Sequence, residues 1–185
     1  MTQPKKLHLM NRRRLLLTAA KIAAGLVIAS PLELFARSIP DNKISFSHTH
    51  TGECFDLCVN DRAYSPVVRE NLFFFLRDFR TKEVHSIDFR LMDILLKIRQ
   101  KTGSTGIYQV ISGYRSPNTN NLLRGKSTGV AKKSLHLQGR AIDIRLTDVP
   151  TKELRDVALS LRAGGVGYYA KSDFVHIDTG HVRSW

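Results

Sequence analysis

Alternation of apolar and polar side chains, the period of a strand, marks residues 43–50 and 54–59, and Thr51-Gly52 between them predicts a hairpin. A helical period follows. Ser65 supplies a cap and Pro66 a first-turn proline for a helix through Arg77. Asp88 can cap a second helix, whose apolar stripe is Leu91, Leu95 and Ile98 and which Gly103 stops. Beyond Gly103 the pattern changes. Residues 108–112 form a short apolar strand, the loop Gly113-Tyr114-Arg115-Ser116-Pro117 comes next, and residues 118–124 predict a short helix. Strand-like runs return at residues 140–146, 166–169 and 174–178, with a helix over 151–162 between the first two. Helices dominate the first half and strands the second, which predicts an α+β domain rather than alternating parallel βαβ units. No repeat, low-complexity segment or linker divides the chain after residue 40.

Composition changes this picture mainly at the N-terminus. The chain has 185 residues and 42% hydrophobic positions, enough for one domain with a buried core. Its formal charge is +13, but residues 1–36 carry six Lys/Arg and one acid, so residues 37–185 hold +8. In the first segment Arg12-Arg13-Arg14 stands directly before a mainly apolar stretch ending near Ser30. Adjacent arginines before such a stretch predict a twin-arginine export signal, removed near Ala36. Lys21 and Pro31 interrupt the stretch before the roughly 20 apolar residues that a bilayer span needs. The expectation is therefore a leader over 1–36 and one periplasmic, monomeric domain over 37–185. Cys54 and Cys58 would lie about 13 Å apart along one strand face, too far for a disulfide. They read as buried small side chains.

The remaining basic charge favours polyanions, and anionic cell wall and nucleic acid both qualify. No interleaving of basic and aromatic residues supports nucleic-acid binding. Gly164-Gly165-Val166-Gly167 lacks the Lys-Ser/Thr of a phosphate loop and leads into a strand, so it reads as a tight turn. The chemistry of interest lies on either side of it. A catalytic zinc needs three protein ligands and an open fourth position. His136 and Asp143 flank Gly139, where the chain can turn, and alternation through residues 174–178 puts Phe174, His176 and Asp178 on one face. Two neutral imidazoles and a carboxylate would leave such a site at net +1, a strong Lewis acid. Spacing alone leaves this as one option, because seven histidines make such spacings common.

The segments Ser134–Asp143 (Ser-x-His-x-x-Gly-x-Ala-x-Asp), Ser112–Ser116 (Ser-Gly-Tyr-Arg-Ser) and 162–169 leading into 174–180 resemble the zinc D-Ala-D-Ala metallopeptidases with their lysostaphin and hedgehog relatives. Within that group they are similar to the YcbK-like, or MepK-like, murein endopeptidases. The resemblance implies one small antiparallel sheet carrying a zinc site, with helices packed around it, and His136, Asp143 and His176 as ligands of one zinc ion. It implies that Arg115 positions substrate or steadies a developing oxyanion. Relatives place a Glu three residues before the last histidine, where this chain has Asp173, so Asp173 is the candidate general base if it sits on a bent lead-in loop. Asp178 is the rival for that role, or else a partner that orients a ligand histidine. Tyr114 and Ser134 are candidate substrate contacts, with Tyr168 and Tyr169 weighed behind Tyr114. The substrate implied is peptidoglycan. Two alternatives stand beside it: a carboxypeptidase or dipeptidase that trims stem peptides, and a wall-binding module whose zinc is structural and takes a fourth ligand such as His181.

Overall fold

The structure is a computed structural model that describes residues 42–59, 64–127 and 129–185. The expected leader over 1–36 lies outside the described residues. Seven strands form one sheet. They are β1 Lys43–His48, β2 Cys54–Cys58, β3 Tyr108–Ser112, β4 Ala141–Leu146, β5 Gly165–Tyr169, β6 Phe174–Asp178 and β7 Arg183–Ser184, in the order β2-β1-β3-β4-β6-β5-β7. Four α-helices accompany them among the described residues: α1 Pro66–Phe75, α2 Arg90–Thr102, α3 Pro117–Lys126 and α4 Thr151–Leu161.

The local signals explain where the elements begin and end. Ser65 accepts the Val68 N–H with Pro66 in the first turn, and Ser116 does the same for Thr119 with Pro117. Gly103, at φ 65, closes α2. Alternation then sorts the sheet into two faces. Ile44, Phe46, Tyr108, Val110, Ile142, Ile144, Val175 and Ile177 form the core face, and Leu91, Leu95 and Ile98 of α2 with Leu154 and Ala158 of α4 belong to the same core. Along β4 and β6 the opposite face carries Asp143, His176 and Asp178 instead.

The fold is α+β, as expected, but the sheet is mixed rather than wholly antiparallel. The strands that carry the polar face, β3, β4, β6 and β5, pair antiparallel; β1 joins β3 in parallel, and β7 joins β5 in parallel. Two helices lie in the long connection from β2 to β3, which leaves room for the crossover that brings β3 back beside β1 in parallel. Cys54 and Cys58 are free, as the spacing argued, yet they are exposed rather than buried. Leu57 is the buried position of β2, so alternation turns both cysteines to solvent.

Candidate metal centre

His136, Asp143 and His176 come from three separate elements. Ser134 accepts the His136 N–H at 3.4 Å and opens a 3-10 turn over Leu135–Gln138. Gly139, at φ 62, closes that turn and feeds the chain into β4, where Asp143 stands in register with His176 of β6. An added Cβ on Gly139 would land on the Ser86 carbonyl oxygen. On the other side of Asp143, a register shift between Val110 and Ser112 turns Ser112 from the core parity of β3 onto the polar face, opposite Asp143.

The three side chains are buried, and their ligand atoms form a nearly equilateral triangle. His136 Nε2 lies 3.2 Å from Asp143 Oδ1 and 3.2 Å from His176 Nδ1, and His176 Nδ1 lies 2.8 Å from Asp143 Oδ1. Donors bound to a tetrahedral zinc at its usual bond lengths stand about 3.3 Å apart, so this triangle fits one face of such a site. The protons agree with the geometry. His136 Nδ1 is 2.7 Å from the Gly113 carbonyl, which can only accept, so Nδ1 carries the hydrogen and Nε2 presents its lone pair to the triangle. His176 Nε2 likewise donates to Asp178 at 3.1 Å, leaving Nδ1 as the inward donor atom.

Two imidazole lone pairs and a carboxylate aimed at one point repel unless a cation or proton sits among them. Burial alone would lower the His176 pKa, but Asp143 and Asp178 outweigh it and raise it to about 9. Burial lowers the pKa of His136. Burial would push the Asp143 carboxyl up; His136 and His176 overcome this and hold it well below the usual carboxylate range. No fourth protein donor joins the group among the described residues. His181 is exposed and lines a neighbouring hollow.

Arg115 stands at the rim of the triangle. Its NH2 group donates to Ser112 and to Asp143 Oδ2, each at 3.3 Å, and its backbone N–H donates to the His136 carbonyl. Its Nε is buried and has no partner among the described residues. Asp178, fully buried, is saturated. Oδ1 accepts from the Gly165 and Gly180 N–H groups and from Arg183, while Oδ2 accepts from His176 and from Arg183 at 2.6 Å. That arrangement makes it the partner that orients His176 and leaves it no free oxygen for a water.

Two expected site residues do not reach the centre. Asp173 does sit on a bent lead-in, at φ 50, but its exposed carboxylate accepts from Thr151 at 2.7 Å and from Arg145 at 3.3 Å. Ser172 and Phe174 on either side of it line the central hollow; Asp173 does not. The left-handed turn swings its side chain out of the strand alternation toward the start of α4. Tyr114 is buried and stacks on His85 at 4.7 Å, fixed there because its N–H donates to the Leu76 carbonyl. Ser134 lines the hollow, with its hydroxyl engaged as the cap of the turn.

The hollow over the triangle measures about 620 Å³, and Arg115, Lys133, Tyr169, Arg183 and Trp185 are among its walls. In the sequence Tyr169 reads as packed core ahead of groove lining, and Trp185 carries no signal, because its approach to His176 depends on β7 pairing with β5. Asp143 is the only side-chain carboxylate in the lining among the described residues.

Comparison with known proteins adds a family. The model for peptidoglycan L,D-endopeptidase MepK matches residues 37–185. The chain is 42% identical over 177 residues to the peptidoglycan L,D-endopeptidase MepK of Escherichia coli (strain K12), covering 95% of this chain and 97% of that protein. It is 40% identical over 181 residues to the probable peptidoglycan L,D-endopeptidase MepK of Haemophilus influenzae, covering 95% and 96%. No solved structure matches.

Proposed function

Because the chain belongs to the peptidoglycan L,D-endopeptidase MepK family and is a peptidoglycan peptidase, we propose that it is a zinc-dependent murein endopeptidase that opens peptide cross-links of the cell wall. The observation that carries the zinc reading is the triangle of His136 Nε2, Asp143 Oδ1 and His176 Nδ1, with the outer nitrogens of both histidines already committed to acceptors. A zinc ion held there supplies a Lewis acid that draws charge from the scissile carbonyl and makes water nucleophilic near neutral pH.

The residues around it divide the remaining work. Asp178 and the Gly113 carbonyl fix the two imidazoles in the tautomer and orientation a metal needs. Arg115 lines the hollow beside the triangle, so a carbonyl oxygen gaining charge there meets a guanidinium that cannot lose its proton. Three protein donors leave a position open, which supports catalysis over a purely structural zinc. The relatives' name as L,D-endopeptidases favours an internal cross-link joining an L centre to a D centre, such as that between two diaminopimelate residues; it is the endopeptidase part that speaks against trimming of a stem terminus.

Purified protein given defined cross-linked muropeptide dimers is expected to release monomers, to stop with chelator and to resume with zinc. Dimers left intact while free D-amino acids appear would support the trimming reading instead. The site of action we propose is the periplasm, reached as a monomer through the Arg12-Arg13 signal. Lysines at both positions should hold the protein in the cytoplasm; unchanged export would contradict this.

A further inference from the structure

Tyr169 and Trp185 form a second polar device in the hollow, joined to the metal centre through His176. Gly167 of β5 stands opposite His176, in the row that runs Ser112, Asp143, His176, Gly167 across the sheet. A side chain at Gly167 would collide with the Trp185 indole, 2.6 Å from an added Cβ. The absent side chain thus leaves the seat on which that ring rests. From this seat the indole meets the His176 ring at 5.2 Å and the Arg183 guanidinium at 4.9 Å. The backbone of Trp185 is held by the Val166 carbonyl and the Tyr168 N–H. Its Nε1–H donates to the Tyr169 hydroxyl oxygen at 2.9 Å.

That last bond decides how Tyr169 behaves. An oxygen that accepts from the indole has its own hydrogen left to donate, and among the described residues no acceptor takes it. Stacking on Phe174 at 4.5 Å limits the ring's tilt. Tyr169 also shares the hollow with Arg115 and the three ligand residues. Asp143 is the one side-chain carboxylate in the lining of that hollow among the described residues.

We propose that Tyr169 is a catalytic residue whose hydroxyl donates a hydrogen bond to the scissile carbonyl oxygen as it gains charge, and that Trp185 is the positioning residue that aims it. The assignment rests on the endopeptidase reading above and extends it. No bond of the tyrosine breaks: its proton stays on oxygen and the carbonyl oxygen accepts. An indole donating to the phenol oxygen makes that phenol a better donor, because chains of hydrogen bonds polarise one another.

Tyr169→Phe should lower kcat about a hundredfold on cross-linked muropeptide dimers, the usual loss for one such donor. KM should change less than twofold, and bound zinc should not change. Trp185→Phe, which keeps a ring on the Gly167 seat but removes the N–H, should lower kcat about tenfold and add nothing in the Tyr169→Phe background, since the two act as one unit. The chain has a single tryptophan, so its emission reports on Trp185 directly. An uncleaved muropeptide titrated into metal-free protein should perturb that emission with the same affinity in wild type and Tyr169→Phe. A Tyr169→Phe protein with kcat within threefold of wild type overturns the proposal. So does one that loses zinc or ligand affinity in step with turnover, which marks a structural role. If the wild type itself cuts no dimer, the endopeptidase reading fails instead.

Discussion

His176 works through both ring nitrogens, and the outer one is the more exposed to test. Asp178 takes the Nε2 hydrogen while Arg183 and two backbone N–H groups hold its carboxylate in place. Asp178→Asn keeps the size of the side chain but removes the charge that makes the imidazole a stronger donor to a metal. Competition with a chelator should show zinc affinity about tenfold to a hundredfold weaker, with the fold intact; undiminished affinity would mean that Asp178 does not orient the ligand. At this scale the sequence was informative about residue types and less so about directions. Alternation correctly put His176 and Asp178 on one face of β6. It could not foresee that Asp178 is saturated by five donors, because Arg183 and Gly165 reach it only through the pairings of β5 with β6 and β7. The backbone at Asp173 is the bent lead-in its candidacy required, yet the positive φ there carries the carboxylate to Thr151 and Arg145.

Among the elements, the turn before β4 bears most on the site. Gly139 was legible as a turn between two candidate ligands, and the structure adds why no other residue fits: φ is positive and the Ser86 carbonyl lies against its Cα. Gly139→Ala combines a left-handed alanine with a backbone collision. The expected cost is about 3 kcal/mol, measured by denaturant unfolding of the zinc-free protein; a loss under about 0.5 kcal/mol would contradict the geometry described for this turn. Other elements were readable in part. Caps at Ser65 and Gly103 announced α1 and α2 because their signals are local. The parallel joins of β1 to β3 and of β7 to β5, and the bulge that brings Ser112 beside Asp143, depend on partners distant in sequence and carry no local signature. The short run that is β7 holds two residues, too few for any period to register.

Across the described residues, one sheet separates an apolar core from a polar face on which His136, Asp143, His176, Arg115 and the aromatic pair gather around one hollow. No helix among the described residues is long and apolar enough to cross a membrane. The α+β class and the grouping of His136, Asp143 and His176 were both visible in the sequence, the grouping because three conspicuous motifs surround it. Spacing alone could not exclude ordinary hydrogen-bonded histidines; the tautomers set by Gly113 and Asp178 argue against that alternative. The central claim is that this trio holds one zinc with an open position. Zinc K-edge absorption on the purified protein, with metal analysis of the same sample, tests it most directly. The account predicts one zinc per chain, bound by two imidazoles and by oxygen donors, and its loss in folded His136→Ala, Asp143→Ala and His176→Ala proteins. A third imidazole on the metal, or a full complement of zinc in the His136→Ala protein, would contradict it.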